Sequence, residues 1–381
     1  MGYPETNSME EFVEMLADMQ AANPTTAAGE KVYGVAIPSD KLMWSIQHPF
    51  TTWSGASAHQ KTGYYNWEDM SYGNHFDEDG VFWDGIDFYH KAYQLGLLDP
   101  DSFTLTEADM KAKAGAGRLL FINANWQYDK MAEGQGFSAI PVSWASSDAT
   151  DVNPSSPITF DYGFAINKNS KNVELCMNYL NLVLSEEGAS LVYNGVEGKY
   201  YTVDDNGVRS LTEEGIALYN DADAWKEAGL GTTGSSHFVG LARNAIGSDG
   251  KTMLLGLDSS MFSVTLTDIQ KDFSEHYGVD YPGQAFSQNA AKNNLVQMSA
   301  IDGMVRNFLV TPTDEIDQLE AVVLSEAEGL IASLIMADDA KYEAMVADAK
   351  ERLAKVGVTK IVEYYESNWQ SAFEKAKAFG N

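Results

Sequence analysis

The sequence predicts an α/β fold in more than one domain, with a helical C-terminal region. The chain has 381 residues, which is enough for two domains, and its 44% hydrophobic and 12% aromatic residues can fill cores of that size. A short apolar strand over 164–166 is followed by a helical apolar stripe over 175–183. From Gln284 to Asn381 the apolar residues recur almost wholly at helical spacing.

The charge and the cysteine content limit the partners and the chemistry. The formal net charge is −30, and such an acidic surface repels phosphate backbones and anionic lipid headgroups, so we expect no nucleic-acid partner. Cys176 is the single cysteine, and its place on a helical apolar stripe predicts a small buried side chain. No stretch approaches the roughly 18 apolar residues that a membrane-spanning helix needs.

The first elements are predicted from capping and composition. Ser8 and Glu11 form the pattern of a capping box for an N-terminal helix. Residues 33–53 are interpreted as a strand followed by a loop rich in Trp and Pro, and residues 54–79 as a polar, aromatic loop.

The middle of the chain gives further helix, crossing and turn signals. A helix over 82–96 closes at a glycine, and residues 111–121 end in an apolar strand. Residues 144–157 are rich in Ser, Asp and Pro, which favours a crossing between domains. Asp204-Asp205-Asn206-Gly207 predicts the turn of a hairpin. The other predicted elements are a glycine-rich loop over 229–250 and helical stripes over 319–335, 342–353 and 361–373.

Several of these elements carry motifs in a particular order. Asn167-Lys168-Asn169-Ser170 and Ser185-Glu186-Glu187-Gly188 flank a helix, and Gly195-Val196-Glu197-Gly198 leads into two tyrosines. Earlier, Gly96-Leu97-Leu98-Asp99-Pro100 precedes a second helix, a strand and Trp126. This order resembles the extracellular solute-binding proteins of ABC transporters (family 1). The resemblance covers most of the chain and is strong between about Phe82 and Gly207.

The resemblance implies a periplasmic-binding-protein-like fold of type II, with one lobe largely complete and the returning part of the other. On this basis residues 1–157 form the first segment of lobe two, residues 158–283 return to lobe one with an insertion, and residues 284–381 pack mainly on lobe two. The chain is expected to lack the N-terminal part of lobe one, a signal peptide and a lipid-anchor cysteine. The alternative is a natural short variant whose lobe one is completed by the middle insertion.

Motifs for other chemistries are incomplete. Gly229–Gly234 matches the dinucleotide pattern G-x-G-x-x-G, but it follows a predicted helix instead of a strand and is interpreted as a loop. Asp77 and Asp79 suggest a calcium loop that lacks its closing Glu. The sequence has no phosphate loop, zinc-ligand spacing or nucleophile elbow. We therefore expect no cofactor, no metal site and no catalytic residue.

Aromatic side chains in polar, loop-like contexts are the remaining candidates for binding. Trp and Tyr rings pack on the C–H faces of sugars, while Asn and Asp hydrogen-bond the hydroxyls. The resemblance places Trp126 and Tyr162 nearest the interlobe cleft. The full set of candidate ligand-binding residues is Trp126, Tyr162, Asp161, Tyr128, Asn125, Trp44, Trp53 and Trp67.

The resemblance implies a ligand-binding component of an ABC importer that closes two lobes on an oligosaccharide or related carbohydrate. Its partners are a small-molecule ligand and ABC permease subunits, and it contacts the membrane only through a lipid anchor that this chain lacks. The expected location is extracellular, at the cell surface. A peptide or an anionic polysaccharide remains an alternative ligand. The alternative function is a secreted hydrolase that uses two of the 55 acidic residues as a carboxylate pair.

Overall fold

The computed structural model describes residues 3–59, 61–123, 136–146, 164–230, 241–243, 245–295, 305 and 308–380. The described residues mix helix and strand and 55% of them are helical, which confirms the α/β class and the helical C-terminal region. Contacts divide the chain into two units: unit 1 comprises Met1–Thr159 and Pro282–Asn381, and unit 2 comprises Phe160–Tyr281. The assignment of these parts to two lobes stays a prediction.

The N-terminal part of unit 1 is a set of helices and one small sheet. Ser8 caps the first helix by accepting a hydrogen bond from the Glu11 backbone at 3.2 Å, as predicted, and the Glu11 carboxylate accepts from the Asn7 backbone at 2.8 Å. The elements are α1 (Met9–Ala22), α2 (Leu42–Trp53), β1 (Ala56–His59), β2 (Gly63–Asn66), β3 (Tyr72–Asn74), α3 (Val81–Gln94) and α4 (Glu107–Gly115).

Helix α2 corrects the prediction of a loop before Trp53. Ile46 and Phe50 lie one turn apart and are both buried, and Pro49 is accommodated inside the helix. Burial against α3 therefore outweighs the loop signal of Trp and Pro. The strand predicted near Tyr33 exists only as single parallel bridges, one of them from Tyr33 to Leu119.

The small sheet corrects the prediction of a polar loop over 54–79. Its strands are antiparallel in the order β1-β2-β3, and Tyr65 pairs with Tyr72 across β2 and β3. Tyr65 is buried and stacks on Trp369 with the ring centroids 5.1 Å apart. Contact with the C-terminal helix, distant in sequence, therefore stabilises strands that are too short to give a period-two signal.

Unit 2 contains the predicted helix pair and hairpin. The Asp204 carboxylate accepts hydrogen bonds from the backbone of Asn206 at 2.9 Å and of Val208 at 2.8 Å, which confirms the predicted turn. Cys176 is only half-buried, so the prediction of a buried thiol is wrong. The elements are α5 (Val173–Val183), α6 (Glu186–Asn194), β4 (Tyr201–Val203), β5 (Arg209–Leu211), α7 (Glu213–Tyr219), α8 (Ala222–Glu227), α9 (Phe262–Thr265) and α10 (Asp268–Tyr277).

The C-terminal part of unit 1 consists of α11 (Pro282–Asn293), α12 (Asp314–Ile335), α13 (Asp339–Val356) and α14 (Val358–Gly380). The predicted end of a helix near Gly357 is confirmed, because this glycine has a φ of 141° directly after α13. Ile361 and Tyr365 are buried on α14, as the predicted stripe requires, and Val323 is buried on α12. Within the described residues, no helix has the length and apolarity that would let it cross a bilayer.

A buried carboxylate connects the sheet of unit 1 to its C-terminal helices. Glu320 on α12 is 1% exposed and accepts hydrogen bonds from the Thr62 hydroxyl at 2.9 Å and from the Tyr365 hydroxyl at 3.2 Å. Burial raises the pKa of Glu320 above its usual 4.5, although both hydroxyls favour the charged form.

We expect the stability of unit 1 to fall as the pH rises past the ordinary pKa of Glu320. The Glu320 carboxyl holds its proton more tightly in the folded state than in the unfolded state. The free energy of unfolding therefore decreases as the pH rises from the ordinary pKa to the raised one, by about 1.4 kcal/mol for each pH unit between the two pKa values. Urea unfolding of the wild type and of Glu320→Gln across this range measures the effect. The variant should show a shallower decrease, and parallel curves would mean that Glu320 does not titrate in this way.

Candidate functional site

The strongest candidate site in unit 1 is a cluster of four aromatic side chains, called here the aromatic surface: Phe12, Trp53, Phe121 and Trp144. The rings of Trp53 and Trp144 lie 5.6 Å apart and nearly perpendicular, and the rings of Phe12 and Phe121 lie 5.3 Å apart. Phe12 is buried, whereas the other three are half-buried and retain solvent-accessible area. The cluster therefore keeps part of three aromatic rings accessible to solvent.

Four separate segments position these rings. Helix α1 presents Phe12, and the C-terminal end of α2 presents Trp53. Phe121 follows the bridge that ties Leu119 to Tyr33. The indole N–H of Trp144 donates to the Thr6 hydroxyl at 3.1 Å, and the backbone of the 144–146 segment donates to the Trp53 carbonyl at 2.9 Å.

Buried aromatic residues of α3 form a rigid floor beneath the aromatic surface. Phe88 is 1% exposed and its ring lies 6.0 Å from that of Trp53. Tyr89 is also buried, and its hydroxyl accepts a hydrogen bond from the Asn123 amide at 3.1 Å. Burial raises the pKa of Tyr89 to about 12, so the hydroxyl stays neutral at physiological pH. A packed floor of this kind pre-organises the exposed rings.

Amide side chains lie close to the segment that carries Trp144. The Asn289 amide on α11 donates to the Val142 carbonyl at 2.8 Å, and the Asn293 amide donates to the Asn289 side-chain oxygen at 2.9 Å. Asn123, two residues after Phe121, adds a third amide. These amides are hydrogen-bonded within the protein, beside the two segments that carry Trp144 and Phe121.

Of the predicted site residues that the structure describes, Trp53 belongs to the aromatic surface, and Trp44 and Trp67 lie elsewhere. Trp44 is half-buried elsewhere on α2, and its ring stacks on that of His48 at 4.9 Å. Trp67 is 5% exposed and its indole N–H donates to Ser57 at 2.8 Å, so it offers no free ring face. Five predicted residues lie outside the described part of the chain: Asn125, Trp126, Tyr128, Asp161 and Tyr162.

Three members of the aromatic surface were not predicted from sequence: Phe12, Phe121 and Trp144. Phe12 lies in the helix that Ser8 and Glu11 predict, and Trp144 is the first residue of the predicted crossing segment. The one available signal was the position of Phe121, two residues before the run Asn123-Ala124-Asn125-Trp126.

Carboxylates with raised pKa values lie in the helix packing of unit 1. Burial, together with the neighbouring Asp87, raises the pKa of Asp84 to about 6. Burial also raises the pKa of Asp87, which accepts a hydrogen bond from the Tyr342 hydroxyl. The Tyr342 ring stacks on His90 at 3.7 Å, so the Asp87 carboxylate is part of the contact between α3 and α13. A packing role accounts for the raised pKa of Asp87.

Among the residues that the structure describes, no group of three or more His, Cys, Asp or Glu side chains is arranged to hold a metal ion. In the segment that resembles a calcium loop, the Asp77 carboxylate accepts a hydrogen bond from the Glu78 backbone at 3.0 Å. This segment forms the turn that leads into α3.

Comparison with known proteins gives structural neighbours only. No family model and no curated protein matches the chain. It is similar to alginate-binding protein AlgQ2 without calcium ion (11% identity, 96% of this chain, 68% of that chain, TM-score 0.49). It is similar to the HMO-binding, ABC-transporter-associated solute-binding protein from Bifidobacterium longum infantis (15% identity, 97% of this chain, 70% of that chain, TM-score 0.48). It is also similar to an EF-hand mutant of the S. pneumoniae substrate-binding protein FusA with fructo-nystose (13% identity, 97% of this chain, 69% of that chain, TM-score 0.45).

Proposed function

We propose that this protein is the ligand-binding component of an ABC importer and that it binds an oligosaccharide or related carbohydrate. The observation that carries the proposal is the aromatic surface, in which the rings of Trp53 and Trp144 lie 5.6 Å apart on a buried floor. The order of motifs in the sequence, which resembles that of family 1 solute-binding proteins, supports the same function.

The chemistry of the aromatic surface suits a neutral sugar. The C–H faces of a pyranose ring are apolar and pack on flat aromatic rings, whereas the hydroxyls need donors and acceptors in the plane of the sugar. Trp53, Phe121 and Trp144 provide the rings, and Asn123 and Asn289 provide amides nearby. A highly charged anion is a poorer ligand because the protein carries a net charge of −30.

The residues predicted from the family resemblance extend this proposed site. Asn125, Trp126 and Tyr128 follow Asn123 by two to five positions in the sequence and are proposed as contacts of the sugar. Asp161 and Tyr162 are proposed as further contacts. Trp67 is left out because its ring is buried.

The proposed mechanism needs no covalent chemistry. Two lobes close on the sugar, and the closed form is recognised by permease subunits outside the cell. The protein is proposed to be a binding protein and not an enzyme, so an assay for released reducing sugar should show no turnover above background.

Trp144→Ala is expected to weaken carbohydrate binding by about 10- to 100-fold, since stacking on an aromatic ring contributes roughly 1–3 kcal/mol. Calorimetric titration of wild type and variant with the same oligosaccharide measures the change. Trp225→Ala is the matched control, because Trp225 is a half-buried tryptophan outside the aromatic surface. Equal affinity of wild type and Trp144→Ala, with both folded by circular dichroism, would remove the aromatic surface from the site.

A further inference from the structure

Trp144 is the least enclosed ring of the aromatic surface. Among the described residues its ring has two aromatic neighbours, Phe12 with the centroids 6.2 Å apart and Trp53 with the centroids 5.6 Å apart. The ring of Trp53 has five such neighbours: Phe12, Phe50, Phe88, Phe121 and Trp144. Trp144 is therefore the ring of this surface that has the most room for a sugar to stack on.

The orientation of the Trp144 ring depends on one buried residue near the N-terminus. The indole N–H of Trp144 donates to the Thr6 hydroxyl at 3.1 Å, and Thr6 is 6% exposed. An indole has a single polar group, so this bond satisfies its hydrogen-bonding capacity inside the protein. The rest of the ring is hydrocarbon, and the part of Trp144 that stays accessible is therefore apolar.

The cap of helix α1 fixes Thr6 itself. Ser8 accepts a hydrogen bond from the Glu11 backbone at 3.2 Å, and the Glu11 carboxylate accepts from the Asn7 backbone at 2.8 Å. These two bonds hold the residues directly after Thr6 in one conformation. The Thr6 hydroxyl therefore lies beside a capped helix end, where its position is fixed.

The backbone around Trp144 has contacts that do not use the Thr6 side chain. The Thr6 carbonyl accepts a hydrogen bond from the Ser143 hydroxyl at 3.4 Å, and the Ser146 backbone donates to the Trp53 carbonyl at 2.9 Å. Thr6→Val leaves both bonds in place and nearly keeps the shape of the side chain. It removes the hydroxyl that accepts from the indole.

We propose that Thr6 is a positioning residue for carbohydrate binding, which fixes the indole of Trp144 in the orientation that a sugar ring stacks on. Thr6 acts through Trp144 and not through contact with the sugar. This inference rests on the proposed function and deepens it. Immobilising a side chain before the ligand arrives removes that cost from binding, and for one side chain the gain is about 2- to 10-fold in affinity.

A double-mutant cycle tests whether Thr6 acts through the indole. Wild type, Thr6→Val, Trp144→Phe and the double variant are titrated by calorimetry with maltotriose, cellotriose and raffinose. Thr6→Val should weaken binding by about 2- to 10-fold when Trp144 is present. It should have no further effect in Trp144→Phe, which keeps an aromatic ring but has no N–H to donate. Thr6→Ser is the matched control, because it keeps the hydroxyl and should bind as the wild type does.

The indole signal of Trp144 gives a second readout that needs no sugar. In nitrogen–proton correlation spectra, the indole resonance that is absent from Trp144→Phe belongs to this N–H. The resonance should move, and its exchange with water should become faster, in Thr6→Val. It should keep its wild-type position in Thr6→Ser.

The outcomes separate this inference from the proposed function. Equal affinity of wild type and Thr6→Val for a sugar that the wild type binds would overturn the inference alone. Equal weakening by Thr6→Val with and without the indole, or an unchanged indole signal in Thr6→Val, would also overturn it. If the wild type binds none of the three sugars, the proposed function fails, and this inference fails with it.

Discussion

Gly85→Ala is expected to destabilise unit 1 by about 3 kcal/mol, because the added methyl group would overlap the backbone of α2. A Cβ at position 85 would lie 2.2 Å from the carbonyl oxygen of Ile46. The backbone cannot rotate away as a flexible side chain can. Helices α2 and α3 would have to separate, and both helices support the aromatic surface through Trp53 and Phe88.

Thermal or urea unfolding measures this effect, and Gly329→Ala is its matched control. Gly329 lies inside helix α12, and a Cβ there would meet nothing within 4 Å. Its replacement should stabilise the protein by about 0.5–1 kcal/mol, because alanine favours the helix. If both variants changed stability in the same direction, close contact at Gly85 could not be the cause.

Arg209→Ala is expected to destabilise unit 2 by about 3 kcal/mol, because it leaves a buried carboxylate without its counter-charge. The Arg209 guanidinium donates to the two oxygens of Asp249 at 2.7 and 2.8 Å, and the Asp249 side chain is 6% exposed. The guanidinium lowers the pKa of Asp249 below its usual range. The ion pair fixes the hairpin of β4 and β5 to the segment around Asp249.

The control for this prediction is an exposed ion pair. Arg352 pairs with Glu326, and the two side chains are 49% and 31% exposed. Arg352→Ala should therefore cost less than about 1 kcal/mol. Equal loss of stability in Arg209→Ala and Arg352→Ala would contradict a buried role for the pair of Arg209 and Asp249.

The pH dependence of unfolding is a second check. Since the pKa of Asp249 is depressed in the folded state, the stabilising contribution of its carboxylate is lost as the pH falls below the ordinary value of 3.8.

Local signals explain which elements the sequence predicted. The cap of α1 needs only Ser8 and Glu11, and the hairpin turn needs only Asp204 and its neighbours, so each is encoded within a few residues. The helical stripe of α14 was also predicted, because a helix of 23 residues repeats its period many times.

Distant contacts explain what the sequence did not predict. Helix α2 contains Pro49 and several aromatic residues, and this composition indicates a loop. Burial of Ile46 against α3 stabilises the helix instead. The sheet has strands of three or four residues that pack on a helix near the C-terminus. The aromatic surface joins residues as far apart as Phe12 and Trp144, and no local pattern indicates that they meet.

The central claim, that the aromatic surface binds carbohydrate, is tested most directly by saturation-transfer NMR with neutral oligosaccharides. This measurement detects weak binding and reports which protons of the ligand touch the protein. The proposal predicts transfer to the ring C–H protons of at least one oligosaccharide, with the signal lost in Trp144→Ala and kept in Trp225→Ala. Absence of transfer to every oligosaccharide, or equal transfer in the two variants, would contradict it.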